Sequence, residues 1–165
     1  MPRGVLFVHN NFPGQFADLA RTLVARGVPC AAIGQHHAPG IEGVRIARYG
    51  LQRGSTPGIL SEAVRAEADL IRARATFEAA RALKAEGWDP AAIVFHPGWG
   101  EAAYLAEVFP RARQVAFAEF YYHGRGYDVG FDPEFLAFDQ DTVLKVEAKN
   151  AVMAMGYAGA DAIVS

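Results

Sequence analysis

The chain has 165 residues, enough for one domain with a core of its own. Apolar residues make up 52% and charged residues 21%, which excludes a disordered chain. The net charge is −2, and no basic run is longer than two residues, so no nucleic-acid partner is expected.

The elements follow in chain order. Val5-Leu6-Phe7-Val8 is a continuous apolar run, which predicts a strand buried on both faces, as in a parallel sheet. His9-Asn10-Asn11-Phe12-Pro13-Gly14-Gln15 then forms a polar loop. Phe16, Leu19, Ala20, Leu23 and Val24 have helical spacing, with Gly27 placed to end that helix. Pro29 to Gly34 reads as strand 2. Val44 to Tyr49 alternates apolar and polar, which predicts a half-exposed strand at a sheet edge. Residues 59 to 86 lack proline and glycine and carry a stripe of Ile59, Ala63, Val64, Leu70, Ile71, Phe77, Ala80 and Leu83. They predict one long helix with room for a break. Ala92 to Phe95 is a fourth strand, followed by the loop His96-Pro97-Gly98-Trp99-Gly100-Glu101. A helix with Ala102, Leu105, Ala106 and Phe109 and a fifth strand, Gln114 to Ala118, come next. Asp139 or Asp141 is placed to cap a helix carrying Val143, Leu144, Ala148, Ala151, Val152 and Met155. Ala160 to Ser165 opens one more strand.

Strands alternating with helices predict an α/β fold: a Rossmann-like, doubly wound parallel sheet in three αβα layers, with strand order near 3-2-1-4-5-6. The switch point then falls between the first and fourth strands, whose loops are the two most unusual in the chain. Ligands bind outside the carboxyl ends of strands at such a point. In the first loop, His9, Asn10, Asn11 and Gln15 are candidate ligand contacts, and Gly14 permits close approach to the backbone. The plainer alternative makes Asn11 a helix cap and His9 a satisfied strand-end residue. The loop is neither a P-loop nor a G-x-G-x-x-G turn. In the second loop, Gly98 and Gly100 flank Trp99, which can stack on a sugar or base, and His96 can donate to a hydroxyl or accept its proton. Trp99 packed under a neighbouring loop is the alternative.

Glu119 ends the fifth strand among Phe117, Phe120 and Tyr121, as a candidate base or hydroxyl ligand, or as a structural carboxylate paired with Arg125. Tyr121, Tyr122, His123 and Arg125 make an aromatic and basic tip. Asp128, Asp132, Glu134, Asp139 and Asp141 lack EF-hand spacing, and the histidines lack zinc-site spacing, so no metal site is expected. No serine lies in a G-x-S-x-G elbow. Cys30 is the only cysteine, which suits a reducing compartment, and neither a signal peptide nor an apolar span of 18 residues is present.

Four motifs together resemble the N-terminal domain of family 4 (group 1) glycosyltransferases, and more narrowly a bacterial branch of them. They are Leu6 to Phe16, His96 to Glu101, Glu119 to Tyr122 and Phe131-Asp132-Pro133-Glu134-Phe135. The resemblance implies a GT-B architecture in which residues 1–165 hold the acceptor. A C-terminal domain, absent from this chain, would then bind the nucleotide-diphosphate sugar. It implies retaining transfer to a hydroxyl of a sugar or glycolipid acceptor, with no cofactor or obligatory metal in this domain. On the reading of the loops given above, catalytic roles would fall to His96 and Glu119. Substrate contacts would fall to His9, Asn10, Asn11, Gly14, Gln15, Gly98, Trp99, Glu101, Tyr121, Tyr122, His123 and Arg125. A cytoplasmic enzyme, with peripheral membrane association open to it, is the corresponding expectation, and residues 1–165 alone should be inactive. A GT-B nucleotide-sugar epimerase half and a non-catalytic Rossmann-like binding module stand as alternatives.

Overall fold

The computed structural model describes residues 3–126, 129, 132, 134 and 139–165. Phe131, Pro133 and Phe135 of the fourth motif, and Asp128, lie outside the described residues. Six strands form one all-parallel sheet: β1 (Val5–Val8), β2 (Cys30–Gln35), β3 (Arg45–Tyr49), β4 (Ala92–Phe95), β5 (Arg113–Phe117) and β6 (Ala162–Val164). Their order is β3-β2-β1-β4-β5-β6. This is the doubly wound Rossmann-like arrangement expected from the alternation of apolar runs and helical stripes. Every helical crossover returns the chain to the same end of the sheet, so the residues that follow β1, β4 and β5 share one rim.

Alternation along the central strands divides the core. Leu6, Val8, Ala31, Ile33, Ile93 and Phe95 point to the face covered by α2 (Ala63–Ala85), α3 (Leu105–Val108) and α4 (Gln140–Ala158). Phe7, Ala32 and Cys30 point to the opposite face, where α1 (Ala17–Ala25) brings Ala20 and the preceding turn brings Phe12 and Phe16. Gly27, at φ 73°, ends α1 as expected. At the edges, β3 presents exposed Arg45 and Arg48, the former ion-paired with Glu86. On β6, Ala162, Ile163 and Val164 are all exposed.

Three expectations are corrected. First, α2 runs unbroken for 23 residues, and its buried residues are Asp69, Ala73, Thr76, Ala80 and Leu83, with Val64 exposed. The helix is rotated so that two polar residues face inward. Second, α4 buries Asn150, Val152, Met153 and Gly156 and leaves Leu144, Ala151 and Met155 exposed. Third, the helix expected after Glu101 shrinks to the single turn of α3, preceded by a 3-10 turn over Pro97–Trp99. Asp139 caps α4, accepting from the Thr142 amide at 2.8 Å.

Candidate functional site

β1 ends at Val8 and β4 at Phe95, in direct register with each other. His9 and His96 are therefore neighbours across the switch point, with ring centroids 5.8 Å apart. Both are buried, at 6% and 7% exposure. Each ring is held in the same way. The Asn11 amide donates to His9 Nδ1 at 3.0 Å, and the Gly98 amide donates to His96 Nδ1 at 3.1 Å. A glycine lies against each ring. A Cβ on Gly14 would fall 2.7 Å from His9 Cε1, and one on Gly98 would fall 2.7 Å from His96 Cε1. Only glycine leaves room for the imidazole at either place. Burial, then neighbouring His96, pushes His9 down from 6.5 to about 4.

Glu119 closes the group from the end of β5. His96 Nε2 lies 2.9 Å from Glu119 Oε2, and Gln15 Nε2 donates to that same oxygen at 2.9 Å. Residues following three different strands thus meet on one carboxylate, whose side chain keeps 38% exposure. Asn11 does not cap α1. A 3-10 turn, Gly14–Phe16, precedes that helix, and no side chain caps either element. Asn10 is half-buried and uses its carbonyl to accept from the Gln35 amide at 2.8 Å.

Two helices fix the site loops from behind. Arg65 of α2 donates to the Gly98 carbonyl at 2.9 Å and lies 5.2 Å over the Trp99 ring. Asp69, ion-paired with Arg65 and Arg72 at 2.9 Å and 2.8 Å, sits so close to Gly100 that a Cβ there would be 2.5 Å from its carbonyl oxygen. From α4, Gly156 brings the backbone against Pro97, where a Cβ would be 3.1 Å from the proline Cβ. The Asn150 side chain accepts from the Tyr122 amide at 3.1 Å and donates to its carbonyl at 2.7 Å, and the Tyr157 hydroxyl donates to the Phe120 carbonyl at 3.0 Å. Sequence reasoning missed Arg65, Asp69 and Asn150. Their signal was polarity at helix positions that turn inward: Asp69 and Asn150 are buried and Arg65 is half-buried.

Of the aromatic residues, Trp99 and Tyr122 are half-buried and Tyr121 is half exposed, at 50%. Lys149 Nζ lies 3.2 Å from the Tyr122 ring centroid, and His123 lies edge-on to Tyr121. Arg125 is exposed. Glu101 does not face the crevice. It is fully buried and accepts a short hydrogen bond from the Tyr49 hydroxyl, while its Oε2 has no hydrogen-bond partner among the described residues. Burial raises its carboxyl to about 7, against the opposing pull of the Tyr49 hydrogen bond and Arg72. A groove of about 700 Å³ lies away from the histidines, between residues 49–53 and α2. Its charged rim is already self-paired, Arg53 with Glu67 and Arg74 with Glu78. Among the described residues, no three metal-ligating side chains cluster.

The family model described as glycosyl transferase family 4 group matches residues 26–165. The chain belongs to that glycosyltransferase family. The match takes in the His96 loop, Glu119 and the aromatic tip of this family 4 domain, whereas the His9–Gln15 loop precedes it and enters the site on geometry alone. No curated protein and no solved structure matches the family 4 domain significantly.

Proposed function

We propose that this domain is the acceptor-binding half of a retaining GT-B glycosyltransferase. It moves a sugar from a nucleotide-diphosphate sugar to a hydroxyl of a sugar or glycolipid acceptor. A C-terminal domain of the same protein supplies the nucleotide-sugar site. The observation that carries this reading is the meeting of Gln15 and His96 on the partly exposed Glu119 at the switch point of the sheet. In that role Glu119 accepts the hydrogen bond of the incoming hydroxyl. Trp99, whose ring centroid is 6.4 Å from that of His96, and exposed Tyr121 offer ring faces of a kind that suits a pyranose. The reading places the enzyme in the cytoplasm, acting on its acceptor in solution or at a membrane surface. No described helix is long and apolar enough to cross a bilayer.

The test uses a protein carrying both domains, a nucleotide-diphosphate sugar and a hydroxyl acceptor, with product analysis. Glu119→Gln should lower kcat by ~10²-fold or more if the carboxylate takes part in proton transfer. Its circular dichroism should match wild type. Residues 1–165 alone should give no product, because one half of the site cannot hold both substrates at attack distance. Near-normal turnover by Glu119→Gln, or transfer by residues 1–165 alone, would overturn the reading. Conversion of the nucleotide-sugar without any acceptor would point to an epimerase instead.

A further inference from the structure

We infer that His9 and His96 are tautomer-locked hydrogen-bond donors, and that Glu119 is the one group of this cluster that accepts a hydrogen bond or a proton from the ligand. The identity of the ligand as a hydroxyl compound rests on the function proposed above; the state of the two rings does not.

A neutral imidazole has one N–H and one ring lone pair. In both rings that lone pair is at Nδ1, committed to a backbone amide, Asn11 for His9 and Gly98 for His96. The ring proton must then be on Nε2. His96 Nε2–H donates to Glu119 Oε2 at 2.9 Å, and so has no lone pair with which to take a proton from a ligand. His9 also lies within the influence of the Gln15 side chain. A half-turn of either ring would put Cδ2 in the place of Nδ1 and break its hydrogen bond with the backbone amide.

Glu119 Oε2 is saturated by Gln15 and His96, and among the described residues nothing donates to Oε1. The acceptor capacity of the cluster is thereby concentrated in one oxygen. His96 and Gln15 are positioning residues, acting through Glu119 and not on the substrate. The charged and titratable groups facing this cluster are few. His9 faces His96 and Glu119, and His96 faces His9 and Glu119. Arg65 is engaged behind the loop on the Gly98 carbonyl. With both rings neutral the cluster carries only the negative charge of Glu119, which suits an uncharged hydroxyl and disfavours a phosphate or carboxylate at this point.

The lock is read directly by long-range proton–nitrogen NMR of the chain with its histidines labelled with nitrogen-15. At pH 7.5 both buried rings should show the Nε2–H tautomer, and the His9 ring should stay neutral down to pH 5. The Nδ1–H tautomer, or an imidazolium, at either ring at pH 7.5 would overturn the inference while leaving the glycosyltransferase reading standing. In the two-domain enzyme, His96→Gln keeps an N–H donor near Glu119 and should retain turnover within about threefold of wild type. His96→Ala should lose about tenfold or more, as expected when a charge-assisted hydrogen bond is removed. Equal losses in His96→Gln and Glu119→Gln would show that His96 itself exchanges a proton, and would refute its positioning role. Absence of any transfer by the wild-type two-domain enzyme, with the Nε2–H tautomers present, would refute only the proposed function.

Discussion

Glu101 and His9 set up opposed pH dependences that one substitution separates. Glu101 ionises at 4.5 in a solvated chain but at about 7 in the fold. Between those values the folded state holds a proton that the unfolded state has lost, so stability falls as pH rises. His9 behaves in the reverse sense. It protonates at 6.5 when solvated and only at about 4 in the fold, so its contribution is complete above 6.5 and is lost as pH falls toward 4. Each pKa unit is worth about 1.4 kcal/mol, so either group alone changes stability by about 3 kcal/mol over its window. In the wild type the two slopes largely cancel between pH 4.5 and 6.5. Glu101→Gln removes one of them. The stability of the variant minus that of wild type should grow by about 3 kcal/mol from pH 4.5 to pH 7 and then level off. Urea denaturation at half-unit pH intervals measures it, with the Tyr49 hydrogen bond affecting only the constant offset. A difference independent of pH would show that Glu101 titrates as in solvent, and would refute the assignment of its burial as the cause.

Two other perturbations test the supports of the site. Gly14→Ala places a Cβ 2.7 Å from the His9 ring at a φ of 45°, and should cost about 2–4 kcal/mol from overpacking and left-handed strain. Gly50→Ala, which meets nothing within 4 Å, should stay within about 0.5 kcal/mol of wild type in the same urea titration. Asn150→Ala strips two hydrogen bonds from the Tyr122 backbone, and amide exchange at Tyr122 should accelerate about tenfold or more, as expected for about 1–3 kcal/mol of lost local protection. Unchanged exchange there would mean that the tip is held by other contacts.

The sheet was legible because its central strands are unbroken apolar runs, and because alternation with helices leaves few topologies. The pairing of the two histidines was legible for the same reason: once Val8 and Phe95 end neighbouring strands, His9 and His96 must sit side by side. What joins them was not legible. Gln15 and Glu119 are 104 residues apart, and no local pattern announces that they share a hydrogen bond. Helix rotation was misread where a helix packs on loops instead of on the sheet. Asn150 faces inward because it satisfies the Tyr122 backbone, and Gly156 faces inward because Pro97 needs the space. An apolar count assigns those positions to solvent. Glu101 was misplaced by the opposite error. It was expected among the substrate contacts as the last residue of the His96–Glu101 loop, yet the chain turns at Gly100 and Glu101 is buried against Tyr49 of β3.

The two edges of the sheet have different consequences for a crowded solution. At β3, Arg45 and Arg48 put charge along the outermost strand, which repels any incoming strand of the same kind. At β6 the side chains of Ala162, Ile163 and Val164 are exposed and apolar, so this three-residue strand carries none of the charge that guards β3.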